Sequence, residues 1–506
     1  MKQFFLPFVV NLQIIRCAYG YTKGKVTDFG GMNVNTPLIG TFSEKVVVLR
    51  SALRVDYSFD LLERQITVGG RRAHLFFVDA FTKDEVMEKI LEFMMRLSET
   101  MLDGVTDPRE FASIVLPYVE IDREQELKTV VTAVLSGTTA MIVEGFDEVF
   151  MIDARTYPVR SIDEPQDDRV LRGSHDGFVE TMVFNAALIR RRVRDPRLTM
   201  EPFKVGSKSQ TDIVLCYMDG LCNEKHLNTL REKLRKITIP SLSMGQQSLL
   251  ECLCRHARYN PFPKVRYTER PDCAAAGVLE GKILVLIDNS PSVMILPTGI
   301  FDFMQDTNDY YLPPLIGTYL RLLRTAVWVL SMFLTPLWFL LMQNQWEVPP
   351  FLEFLTIDEP NSVPVIVQLL IIELVIDVVK LASLNTPNTL SNAFSVVGAL
   401  IFGEFAVNAE LFVPEVLLYM AFVAVAAFTQ ASYEMAYAFK LLRMTLLILT
   451  AFLNLWGFAV GLALIAVLIA TVETPVGYVY LYPLIPFDRV ALKRLFLRRS
   501  IHRSNA

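Results

Sequence analysis

The sequence predicts an α/β soluble N-terminal half of two related α/β subdomains, followed by an α-helical polytopic membrane domain. Three observations carry this expectation. The chain has 506 residues, 52% hydrophobic and 20% charged, but residues 33–312 hold most of the charge and 322–487 are nearly continuous apolar sequence. Stretches such as 322–343 reach about 33 Å as a helix, enough for a bilayer core. Within the soluble half, Gly137 aligns with Gly281 at a shift of 144, and the helix–strand–strand pattern around each is similar.

The length suits two or three soluble modules plus a helical bundle. A net charge of −5 argues against a nucleic-acid partner. Residues 1–32 read as an N-terminal extension. Their apolar core is broken by Asn11 and Gln13 and no A-x-A site follows, so Met32 is expected as the initiator rather than a cleaved signal.

The first subdomain is expected over 33–160. Residues 65–81 read as a hairpin turning at Gly69-Gly70. A helix follows over 83–101 on the periodicity of Val86, Ile90, Phe93, Met94 and Leu97. Another covers about 123–135, and 137–154 supplies two strands around Gly145-Phe146-Asp147.

A connecting block spans 161–197. Phe178, Met182, Ala186, Ile189 and Val193 form one stripe of a helix over 178–194. It ends in Arg190, Arg191, Arg192 and Arg194. These cations either complement the helix C-terminus or form a docking surface between modules or subunits. The second subdomain covers 198–312: strands at 198–205 and 211–218, helices at 224–237 and 243–258, the short KVRYT segment, a helix at 272–280, and strands within 281–298.

The membrane domain is expected over 313–487, with five hydrophobic segments at 322–343, 363–384, 389–408, 412–436 and 444–472. Arg321 and Arg324 put the start of the first on the cytosolic side. Glu373, Asp377 and Lys380 share one face of the second. They either pair inside the bundle or line an ion route. Val397, Ile401, Glu404 and Asn408 form a stripe on the third, which carries Gly398 and Gly403. This is the expected pore wall: repeated in a ring, Glu404 favours cations, and Val397 with Ile401 forms a gating constriction. Lys440 and Arg443 read as a cytosolic turn. The basic tail, 488–506, poses a parity problem, because five crossings leave it outside against the charge bias. A re-entrant 474–487 piece, or an incomplete 389–408 crossing, would return it.

Enzyme chemistry is not expected. The chain has no P-loop, no G-x-G-x-x-G after a strand, no H-E-x-x-H and no G-x-S-x-G. Its six cysteines include only a C-x-C pair at Cys252 and Cys254, which a helix would place on different faces. No metal or cofactor is expected, and the thiols read as reduced.

Two separated blocks resemble the GerA family, the A subunits of bacterial spore germinant receptors. The first runs Arg172-Gly173-Ser174-His175-Asp176-Gly177-Phe178-Val179-Glu180, then Asn185 and Leu188 to Arg192. The second has Pro297, Phe301 to Asp306, and Asp309-Tyr310-Tyr311. The resemblance implies soluble domains on the core (cytosolic) side of the spore inner membrane. It also implies a homo-oligomeric, pentameric cation channel, or an accessory that works with a small membrane partner and other germination proteins to promote ion release. Arg172, Asp176, Glu180, Arg190, Arg191 and Arg192 would then lie at a subunit or domain interface. A secondary transporter and a non-conducting scaffold are the alternatives.

Overall fold

The computed structural model describes residues 37–82, 84–115, 120–157, 168–254, 259–344, 356–357, 363–385 and 411–498. Its N-terminal half contains two antiparallel five-stranded sheets of the same strand order. The first is built from α1 (Phe42–Leu53), β1 (Leu61–Val68), β2 (Arg71–Val78), α2 (Asp84–Arg96), α3 (Pro108–Val115), β3 (Ile121–Glu124), α4 (Leu127–Leu135), β4 (Thr139–Val143) and β5 (Val149–Ile152). Its order is β1-β2-β4-β5-β3. The second contains α5 (Met182–Arg192), β6 (Leu198–Val205), β7 (Thr211–Met218), α6 (Glu224–Arg235), α7 (Gly245–Leu253), β8 (Arg266–Thr268), α8 (Pro271–Leu279), β9 (Ile283–Ile287) and β10 (Val293–Leu296), ordered β6-β7-β9-β10-β8. The shift of 144 read from the sequence carries α4 onto α8, β4 onto β9 and β5 onto β10.

Each sheet is covered on both faces, so its central strands are apolar throughout rather than alternating. In the first repeat, α1 and α4 cover Phe76, Val78, Ala140 and Ile142. Helices α2 and α3 cover Ala73, Leu75, Met141 and Val143 on the other face. The β1–β2 hairpin turns where expected, with Gly69 and Gly70 at φ 53° and 80°. A side chain at Gly69 would also strike Leu102.

Several element boundaries differ from the expectation. The 123–135 helix is β3 followed by α4, because Ile121 to Glu124 pair with β5 as an edge strand. Helix α5 starts at Met182, four residues late. The Asn185 side chain bonds both the N–H and the carbonyl of Val179, which holds the approach extended. Ala187 packs into the first repeat while Ala186 and Ile189 pack into the second, so α5 lies between the two cores.

The C-terminal half is helical: α9 (Pro314–Asn344), α10 (Val365–Asn385), α11 (Pro414–Phe428) and α12 (Tyr433–Ala470). Among the described residues, α9 and α12 are long and apolar enough to cross a membrane. Helix α12 is interrupted at Asn454 (φ 52°, ψ −131°). Beyond it the chain folds back along itself. A Cβ on Gly461 would lie 2.4 Å from Leu446 Cδ1, and one on Gly457 would meet the Leu449 carbonyl. A straight helix would hold residues 446 and 461 about 22 Å apart.

Two expectations are corrected here. Lys440 and Arg443 do not form a cytosolic turn; both are buried inside α12. The expected single span at 444–472 is likewise not one pass, because the reversal at Asn454 divides it. The return leg brings Leu468 back to the second repeat, where its carbonyl accepts from Asn260 Nδ2 at 2.7 Å. Val476 then enters the core of that repeat, and the short helix α13 (Arg489–Phe496) follows. Residues 488–498 therefore lie beside the soluble repeats and the head of α9, where Arg498 bonds Thr318 and the Tyr310 carbonyl.

Candidate functional site

The two sequence blocks, more than 100 residues apart, meet in space. Gly173 has φ 123°, and its missing side chain is what admits the Tyr311 ring; a Cβ there would sit 2.5 Å from Tyr311 Cζ. The Tyr311 hydroxyl donates to Asp272 Oδ2 at 2.6 Å. Burial, then the Asp272 carboxylate, pushes that phenol well above its usual range. Arg270 grips Asp272 and also donates to the Ser174 carbonyl at 2.9 Å. Asn308 closes the contact, accepting from the Leu171 N–H and donating to the Arg169 carbonyl.

The arginines of the first block have separate partners. Arg190 is fully buried and holds Asp60 of the first repeat through two donors at 2.7 and 3.1 Å. It also reaches Ser58 Oγ and the Leu198 carbonyl, so it ties the repeats together. Arg191 lies over the Tyr157 ring at 4.3 Å. Arg192 holds Asp176. Burial raises the Asp176 pKa, but Arg192 outweighs it and the carboxyl sits below its usual value. Arg172 and Glu180 are exposed.

The second block forms the joint with the helical half. Asp309 is completely buried and accepts from Arg324 Nη1 at 2.7 Å, with Arg321 Nε at 3.5 Å. Asp306 takes the second arm of Arg324 at 3.2 Å. The first three turns of α9 are thus clamped to the soluble repeats by buried, charge-assisted contacts. Asp302 pairs with Lys282 at 2.8 Å and caps the Gly299 N–H. Burial opposes its ionisation, yet Lys282 and that N–H hold its pKa below the usual range.

Deeper in the helical half, Glu373 and Asp377 of α10 meet cations from α12. Glu373 is 1% exposed and receives Arg443 Nη2 at 2.5 Å and Lys440 Nζ at 3.3 Å. Lys440 also reaches Asp377 at 2.5 Å. Arg443 donates its other arm to the Ser331 carbonyl of α9, so three helices share one network. Lys380 lies over the Phe428 and Tyr437 rings. A small open cleft adjoins the network, bounded by Lys380, Gln430, Tyr437, Lys440 and Arg443. Its wall carries three cations, Lys380, Lys440 and Arg443, against one acid, Glu373. Val397, Ile401, Glu404 and Asn408 lie outside the described residues. Among the described residues, no cluster of three His, Cys, Asp or Glu could hold a metal ion.

Sequence reasoning missed the partners of Glu373 and Asp309. The available signal was charge balance: two acids in one apolar segment call for cations in another, and Lys440 and Arg443 sit one turn apart.

The sequence model of the Bacillus/Clostridium GerA spore germination protein family matches residues 48–506. The chain is 34% identical to stage V sporulation protein AF of Bacillus subtilis (strain 168), covering 88% of this chain and 89% of that protein. It is 27% identical to spore germination protein KA of the same organism, over 88% and 82% of the two chains. The N-terminal domain of the A subunit of the Bacillus megaterium spore germinant receptor GerK3 is similar at 22% identity and a TM-score of 0.40, over 51% of this chain and 96% of that one. The chain belongs to the GerA family of spore germination proteins.

Proposed function

We propose that this protein is a membrane subunit of the spore germination machinery. In this reading the helical half spans the spore inner membrane and the two α/β repeats face the core. Copies assemble into a ring, a pentamer by analogy, that conducts cations or assists a partner in doing so. Stage V sporulation protein AF and protein KA bear germination or sporulation names, which favours that setting.

The Asp309 clamp is the observation that carries the reading. A carboxylate with no exposed surface holds two arginines at the head of α9. Breaking such a buried pair is costly, so a shift of the soluble repeats moves α9 with them. That is the linkage a gated membrane protein needs. Arg321 and Arg324 at the head of an apolar helix also favour a core-facing soluble half.

The pore role falls to the stripe of Val397, Ile401, Glu404 and Asn408 rather than to Glu373 and Asp377, which are already matched by cations. That same neutralisation favours one competing reading, a non-conducting scaffold for other germination proteins. Two measurements separate them. A closed ring of detergent-purified particles, with Glu404→Gln altering ion flux in proteoliposomes, supports the channel. Monomers or lone dimers, or flux indifferent to Glu404→Gln, support the scaffold.

A further inference from the structure

The joint between α9 and α13 holds more positive than negative charge. Arg324 occupies both nearby carboxylates, Asp306 and Asp309. Arg321 is 6% exposed and reaches Asp309 only at 3.5 Å; its Nη1 faces the carbonyls of Arg494 and Leu495. Arg498 lies across Gly317, where a Cβ would come within 3.0 Å of its Cδ. Its Nη2 donates to the Tyr310 carbonyl at 2.5 Å.

Five buried guanidinium nitrogens at this joint make no hydrogen bond among the described residues, although Arg321 lies over the Tyr310 ring at 4.6 Å and its Nε keeps the 3.5 Å approach to Asp309. They are Arg321 Nε and Nη2, Arg494 Nε, and Arg498 Nε and Nη1. Burial, then the neighbouring Arg321 charge, lowers the Arg498 pKa. Buried cations with open donors call for an anion. Asp488 at the head of α13 caps the Val490 and Ala491 N–H groups and feels the Arg494 charge, but residues 489–506 contain no further Asp or Glu, so the joint keeps an excess of positive charge.

The surroundings are apolar. Leu315 and Tyr319, on the first turns of α9, are 84% and 62% exposed, and Phe487 and Val490, beside α13, are 68% and 53% exposed. An open cleft lined by Asp302, Tyr310, Tyr482 and Arg494 lies between these elements, its Asp302 carboxylate already paired with Lys282. A cationic centre flanked by apolar side chains, where an apolar helix begins, matches a lipid: phosphate at the centre, acyl chains beside it.

We propose that Arg321, Arg494 and Arg498 bind the phosphate headgroup of an anionic membrane lipid, which fixes the C-terminal tail to the leaflet that α9 enters. This rests on the membrane reading above.

The test uses the full chain in nanodiscs of phosphatidylcholine with or without phosphatidylglycerol. Lipid retained after transfer to detergent is counted by native mass spectrometry. Phosphatidylglycerol should be retained over phosphatidylcholine, and Arg494→Ala with Arg498→Ala should weaken its retention by about tenfold or more. Arg494→Lys with Arg498→Lys, which keeps the charge, should retain most of it and guards against a folding defect. Equal retention of both lipids, or retention indifferent to the alanine pair, overturns the inference while leaving the membrane reading intact. Displacement of phosphatidylglycerol by millimolar inorganic phosphate would assign the site to a free anion and also overturn it. A chain that enters neither nanodisc defeats the membrane reading itself.

Discussion

Glu373 and Arg443 face one another from α10 and α12 at 2.5 Å, with 1% and 5% of their side chains exposed. Removing one member of such a pair leaves an uncompensated buried charge, at a cost of about 3–5 kcal/mol. Glu373→Gln is therefore expected to lower the thermal stability of the detergent-purified protein strongly. The double replacement Glu373→Met with Arg443→Met should recover much of that loss, because Lys440 still has Asp377. Ion flux distinguishes a route from a clasp. If Glu373→Gln changes conductance and leaves the melting temperature unmoved, this acid serves ions rather than packing.

Gly173 and Tyr311 offer a second pair. An alanine at 173 must adopt φ near 123° and drive its methyl into the Tyr311 ring. The backbone strain alone amounts to about 1–3 kcal/mol. Gly173→Ala should destabilise the protein and release Tyr311 from Asp272. In a Tyr311→Ala background the same change should cost only the backbone part. A double-mutant cycle on melting free energies reads the difference; strict additivity would mean that the two blocks do not meet.

Much of the soluble fold was legible because burial on both faces writes long apolar runs. Met141 to Val143 and Val285 to Ile287 are such runs, and their spacing exposed the duplication. Helix α1 went unread although Thr41 and Glu44 form a capping box, a four-residue signal readily lost among polar neighbours. The helical half was read by the rule that cations mark cytosolic turns. That rule fails at Lys440 and Arg443, because their charge is met by Glu373, 67 and 70 positions away, and by Asp377. No local pattern reports a partner at that distance. The reversal at Asn454 is similar: a 38-residue apolar helix of about 57 Å exceeds what a bilayer needs, but length alone does not say where it turns.

His226 predicts a pH dependence. Its Nδ1 is buried with no hydrogen-bond partner among the described residues, and its ring stands edge-on to Tyr478 at 5.9 Å. Burial holds its pKa below the usual value. The unfolded chain then binds the proton more readily than the folded one just below about pH 6.5. Stability from this group is full above that pH and is lost as pH falls toward the depressed folded value. Melting temperature should decline on acidification through this window, and His226→Phe should flatten that part of the curve. An unchanged decline in the variant would assign it to other groups.

The reversal of α12 makes the sharpest topological prediction. Asn454 and Asn344 exchange side-chain amide bonds at 2.7 Å in both directions. Asn344 ends α9, far from the clamp at Asp309, so the turn lies at the opposite end of the bundle from the soluble repeats. Residue 497, by contrast, is on the repeats' side, since Arg498 bonds Tyr310. Leu455 and Leu497 are both about half exposed, at 53% and 49%. Cysteines placed at these two positions, in a chain whose native cysteines are serine, should react with an impermeant maleimide from opposite faces of sealed vesicles. An unbroken α12 would bury residue 455 near mid-bilayer and carry residue 497 to the far face. Protection at 455 together with labelling of 497 from the face opposite the soluble repeats would therefore refute the hairpin.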